Sequence, residues 1–116
     1  MSDGLPIRVG VIGTGAISQV VHVPIFAERE DVELVALADA DLHKAESLSR
    51  RFKVPSACDA DTLIARDDID AVVVCTPNHL HESMAIAALD AGKHVFVERP
   101  LATTSEGAER VVAAAA

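Results

Sequence analysis

Short apolar runs alternate along the chain with stretches of helical periodicity. The first run, Ile7-Arg8-Val9-Gly10-Val11-Ile12, reads as a strand that ends in the turn Gly13-Thr14-Gly15. A helix is expected from about Ala16 and is ended or kinked at Pro24, because proline lacks an N–H and crowds the preceding turn. Residues 33–38 (E-L-V-A-L-A) form a second strand. Asp41 is placed to cap the helix after it, on which Leu42, Ala45, Leu48 and Phe52 recur at helical spacing. Residues 56–58 read as a short third strand, with a small helix near 61–66. The run Ala71-Val72-Val73-Val74-Cys75 is the fourth strand. Asn78 then caps a helix carrying Met84, Ala85, Ala88 and Leu89 on one face, and Gly92 stops it. Residues 94–98 make the fifth strand, and Thr103 with Glu106 forms a capping box for a last helix.

Five strands, each followed by a helix, imply an α/β fold with a parallel sheet, since parallel neighbours need crossover connections. Right-handed crossovers and a glycine turn after the first strand give a doubly wound sheet of strand order 3-2-1-4-5. Residues 1–116 are read as one domain. The last stretch, Val111 to Ala116, stops within a helical pattern. The expectation is the front part of a longer protein, lacking a sixth strand and a second α/β domain; a complete five-stranded protein is the alternative.

Composition fits a buried sheet. Half the residues are apolar but only three are aromatic, all Phe, so Val, Ile, Leu and Ala fill the core. The net charge of −8 argues against nucleic acid and anionic membrane as partners, because both need a basic surface, and it otherwise serves solubility. Cys58 and Cys75 lie far apart and outside any CxxC pattern, which points to two thiols in a reducing compartment. Met1-Ser2-Asp3-Gly4 lacks the basic start of a signal peptide, and no apolar run approaches the ~18 residues of a membrane span. A cytoplasmic location is expected.

In doubly wound sheets ligands sit beyond the carboxyl ends of the strands, where strand order reverses. The turn Gly13-Thr14-Gly15-Ala16-Ile17-Ser18 leads a strand into a helix, so its amides point outward at the positive end of a helix dipole. That is a seat for a pyrophosphate. Asp39 ends the second strand, 24 positions beyond Gly15, where a carboxylate accepts hydrogen bonds from the adenosine ribose hydroxyls. It would repel a 2′-phosphate and Ala40 offers no cation, so NAD is favoured over NADP; Lys44, a helical turn away, works against that preference. The plainer reading of Asp39 is that it starts the turn to Asp41.

After the fourth strand, Thr76-Pro77 fixes an extended segment that can lie along the cofactor. His79 and His81 stand two apart on a helix and point to different faces, so no metal site is expected. His81 is read either as a cofactor-packing residue or as a surface histidine, and His22 and His43 as solvent-facing. After the fifth strand, Glu98-Arg99-Pro100 is either a site or a plain strand stop.

The chain resembles the Gfo/Idh/MocA family (glucose–fructose oxidoreductase, inositol dehydrogenase) of nicotinamide-dependent sugar oxidoreductases. The resemblance rests on residues 9–17, on Thr76-Pro77-Asn78-His79-Leu80-His81, and on residues 91–101, close to a Glu-Lys-Pro signature. It implies that Gly13, Thr14, Gly15, Ala16 and Ile17 hold the pyrophosphate and Asp39 the ribose. It further implies that Thr76, Pro77, Asn78 and His81 flank the cofactor and that Glu98 approaches the nicotinamide ribose. The family's lysine is Arg99 here. Arginine keeps the charge and can polarise a substrate oxygen, but its high pKa makes it a poor proton shuttle.

Two functions follow from the resemblance. One is hydride transfer between the nicotinamide and a secondary alcohol of a sugar, polyol or related small metabolite. The other is a non-catalytic NAD(H)-binding regulatory protein, the reading that Arg99 favours. The remaining proton-handling groups, much of the sugar pocket and the homo-oligomer contact belong to a following domain, so this chain alone is expected to be inactive.

Overall fold

The computed structural model describes residues 6–13, 23–76, 81–97 and 112. Five parallel strands, β1 (Ile7–Ile12), β2 (Val32–Ala38), β3 (Ser56–Cys58), β4 (Ala71–Val74) and β5 (His94–Val97), form one sheet of order β3-β2-β1-β4-β5. The helices are α1 (Val23–Glu28), α2 (Leu42–Phe52), α3 (Ala60–Ala65) and α4 (His81–Asp90). Strand order and the order of the described elements match the expectation, while the last helix expected after β5 lies outside the described residues. The strand ends move by a residue at β2, which starts at Val32, and at β4, which stops at Val74.

Two apolar clusters cover the two faces of the sheet. On one face Val9 and Val11 of β1 and Leu34 and Leu37 of β2 meet Val23 of α1 and Leu48 of α2. On the other Ile12, Val72 and Val74 meet Leu63 and Ile64 of α3 and Ala88 of α4. The run Leu34-Val35-Ala36-Leu37-Ala38 does not alternate strictly, and the sheet accommodates it. Val9 pairs with Leu34 but Gly10 pairs with Ala36, so the register slips and Val35 shares the face of Ala36 and Ala38. Gly10 also lets α3 close in, since a Cβ there would lie 2.7 Å from Leu63 Cδ2 and 2.9 Å from Ile69 Cδ1.

The helix signals are met by their partners. Asp41 caps α2 by accepting from the His43 amide at 3.1 Å, and Asp59 caps α3 by accepting from Thr62 at 2.8 Å. Ala85 and Ala88 of α4 are fully buried, and Gly92 follows that helix at φ +80°. Pro24 is a correction. It does not end a helix, since α1 contains it and continues to Glu28; the expected helix start near Ala16 lies outside the described residues. The expected caps at Asn78 and Thr103 lie outside the described residues.

Cys58 and Cys75 form no disulfide. They follow or end β3 and β4, which two strands separate, about 14 Å at ~4.8 Å per strand and beyond bridging range. Among the described residues no helix is long and apolar enough to cross a membrane, and no three His, Cys, Asp or Glu side chains are grouped to hold a metal.

Candidate cofactor site

Strand register brings the candidate residues into one row. Ile12 pairs with Ala38 on one side and with Val74 on the other. The residues one step further, Asp39, Gly13 and Cys75, therefore stand side by side along the carboxyl edge of the sheet. Backbone hydrogen bonds hold the row: Gly13 donates to Ala38 O at 2.7 Å, and Cys75 donates to Ile12 O at 2.8 Å. The row spans the point where the connection after β1 leaves toward β2 and the one from β3 returns to β4. That is the topological switch point of a doubly wound sheet.

Gly13 sits at the centre of the row with φ +100°, a conformation side chains rarely adopt. A Cβ on it would lie 2.6 Å from Cys75 O and 2.9 Å from Thr76 N. Sequence alone assigns Gly13 to the sharp turn; the structure adds a close approach of two backbones, the β1 exit and the β4 exit. A Cβ would collide with the β4 exit, so only glycine lets the two backbones pack, and this point of the carboxyl edge carries no side chain, as a pyrophosphate seat made of amides requires.

Asp39 is half-buried at the end of β2, directly after the fully buried Ala38. Its Oδ1 accepts from the Asp41 amide at 2.8 Å, so the turn to α2 orients the carboxylate. The two readings of Asp39 are therefore compatible: it forms the turn and stays at the crevice edge. Thr76 follows Cys75 on the other side of Gly13 and is half-buried. His81 is the first residue of α4. Thr14, Gly15, Ala16, Ile17, Pro77, Asn78, Glu98, Arg99 and His22 lie outside the described residues.

Sequence reasoning did not find the backbone of Cys75 as a wall of the site. Only its register beside Gly13, set by β1–β4 pairing, reveals it. Nor did it find the cationic groove on α2 lined by His43, Lys44, Ser47, Leu48 and Arg51; the i, i+4, i+8 spacing of residues 43, 47 and 51 was the available signal.

A side-chain-free glycine at the reversal of strand order, with an acid one strand over, defines a dinucleotide-binding fold of the doubly wound class. Residues 7–116 match the family model GFO_IDH_MocA, an oxidoreductase family with an NAD-binding Rossmann fold, and the chain belongs to that family. It is 38% identical over 112 residues to inositol 2-dehydrogenase/D-chiro-inositol 3-dehydrogenase of Halalkalibacterium halodurans, covering 95% of this chain and 32% of that protein. It is 36% identical over 107 residues to D-glucoside 3-dehydrogenase of Escherichia coli, covering 91% and 30%. The fold superposes with a TM-score of 0.89 and 39% identity on KijD10, a 3-ketoreductase from Actinomadura kijaniata in complex with NADP and TDP-benzene, covering 95% and 34%. The chain thus spans about a third of the length of these relatives.

Proposed function

We propose that these residues are the nucleotide-binding domain of an NAD(P)-dependent oxidoreductase acting on a secondary alcohol of a sugar, polyol or related metabolite. The observation that carries the reading is the row Asp39–Gly13–Cys75, which puts an acid and a side-chain-free glycine side by side at the switch point. Names of the relatives support the substrate class: an inositol dehydrogenase, a D-glucoside 3-dehydrogenase and a 3-ketoreductase.

In this reading the turn from Gly13 through Thr14, Gly15, Ala16 and Ile17 seats the pyrophosphate. Asp39 accepts from the adenosine ribose, in charge-assisted bonds worth about 1.5–3 kcal/mol. Thr76, Pro77, Asn78 and His81 flank the cofactor, and Glu98 approaches the nicotinamide ribose. Arg99 holds positive charge beside the reacting carbon and polarises its oxygen, without moving a proton. The bound nicotinamide supplies the hydride chemistry. NAD is the favoured form, because the Asp39 carboxylate meets a 2′-phosphate with like charge; KijD10, bound to NADP, shows that the fold also suits the phosphorylated form.

The chain has no Trp or Tyr, so the emission of NADH itself reports binding. Asp39→Ala should weaken NADH roughly tenfold or more, at about 1.4 kcal/mol per decade. Unchanged affinity would reject the ribose role of Asp39.

A further inference from the structure

The cations among the described residues fall into two sets. Arg8 pairs with Asp70, Arg29 with Asp31 and Arg66 with Asp68, while the Lys93 ammonium donates to two carbonyls. Lys44, Arg50, Arg51 and Lys53 are exposed and make no ion pair with a described residue. All four lie on α2 and its cap, in a chain of net charge −8.

The end of α1 carries the opposite sign. Its last residue, Glu28, places a carboxylate at the negative end of the helix dipole, with no basic residue in that turn. Glu30 follows, also exposed, and the neighbouring Arg29 is held by both oxygens of Asp31. Glu28 and Glu30 form no ion pair among the described residues. The basic end of α2 suits the dipole of its own helix; the acidic end of α1 does not suit its own.

Topology sets these two ends side by side. α1 and α2 cover the same face of the sheet, through Val23 and Leu48, and touch each other. Each joins the carboxyl end of one parallel strand to the start of the next, so both run back against the strands. Their ends therefore stand together at the amino edge, away from the cofactor row. One turn back from Glu28 on α1, Ile25 is 50% exposed.

Such a layer is self-complementary. A twofold axis parallel to the helices and between them lays α1 of one copy along α2 of the other, twice over. Glu28 and Glu30 of each copy then meet Arg50, Arg51 and Lys53 of the other, and Ile25 is covered. We propose that the α1–α2 face is a contact surface for a second copy of this chain, an isologous dimer built on opposite charges at the amino edge. The surface is independent of the cofactor reading and separate from the contact expected of a following domain. Exposed charge pairs around one isoleucine make a small interface, so the dimer is weak and forms at high protein concentration.

Sedimentation velocity over a concentration series of the 116-residue chain tests this. The samples are the wild type, an acidic variant (Arg50→Glu with Lys53→Glu), a basic variant (Glu28→Lys with Glu30→Lys), the two variants mixed, and Ile25→Lys. Thermal unfolding and an NADH titration accompany each. The wild type should pass from monomer to dimer mass as concentration rises. Each charge variant alone should associate roughly tenfold more weakly or worse, because like charges then face each other across the axis. The equimolar mixture should regain the dimer, since both ends attract again, and NADH affinity should stay within about twofold throughout. A wild type that is monomeric at every concentration overturns the proposal. So does a dimer that survives both charge variants, or a mixture of folded variants that stays monomeric. If a charge variant fails to fold, Ile25→Lys decides: a dimer of wild-type strength there overturns the surface, and its loss with an unchanged Tm supports it.

Discussion

Gly13 answers two demands at once, a φ of +100° and the approach of the Cys75 carbonyl. An alanine meets both costs. The positive φ alone disfavours a side chain by about 1–2 kcal/mol, and the contact at Cys75 is with backbone, which cannot swing away. Gly13→Ala should therefore cost about 2 kcal/mol or more in urea unfolding and lose NADH binding in the fluorescence titration. A variant as stable as the wild type would show that the two strand exits do not touch. This position separates what was legible from what was not: the glycine turn could be read from residues 10–15, but its neighbour is 62 residues away, and only β1–β4 pairing supplies it.

At the scale of elements, the turn between β2 and α2 does both structural and functional duty. Asp41 caps the helix through its side chain, while its amide holds Asp39 Oδ1. Alanine removes the first bond and keeps the second. Asp41→Ala should lower stability by about 1 kcal/mol, read as a fall of a few degrees in Tm, yet leave NADH affinity within about twofold. A large loss of NADH binding would mean that the Asp41 carboxylate acts in the site directly. The cap itself was visible from Asp41 and the apolar spacing of 42, 45, 48 and 52. The basic stripe on the outer face was not, because that spacing draws attention to the buried side of the helix.

At the scale of the molecule, the strand ends opposite the crevice are tied by long-range polar contacts. Arg8 Nε and Nη2 donate to the two Asp70 oxygens at 3.1 and 2.9 Å, and the Arg8 amide donates to Asp70 Oδ2 at 2.9 Å. The Lys93 ammonium donates to the carbonyls of Arg66 and Ile69, and the His94 amide to Asp70 O. These bonds join the starts of β1, β4 and β5, so the row of site residues at the far ends rests on a fixed base. Hydrogen bonds from the Arg8 side chain and then its amide hold the Asp70 carboxyl down at about 2. A carboxylate lowered on folding stabilises above its ordinary range and loses that contribution as pH falls through the folded value. The wild type should thus shed stability between about pH 4 and pH 2. Asp70→Asn should be less stable at neutral pH and flatter across that window in acid-unfolding curves. Parallel acid limbs for the two proteins would deny Asp70 this role.

Local pattern determined the element order, the strand sequence 3-2-1-4-5 and the placing of Gly13 and Asp39 at strand ends, because periodicity, caps and crossover handedness act over a few residues or as general rules of sheets. Tertiary structure alone decided the slip at Val35, the backbone contact between Gly13 and Cys75, the Arg8–Asp70 clamp and the groove on α2. Each of these depends on which residues face one another across strands or between layers, and that pairing is fixed only when the whole sheet closes on its two cores.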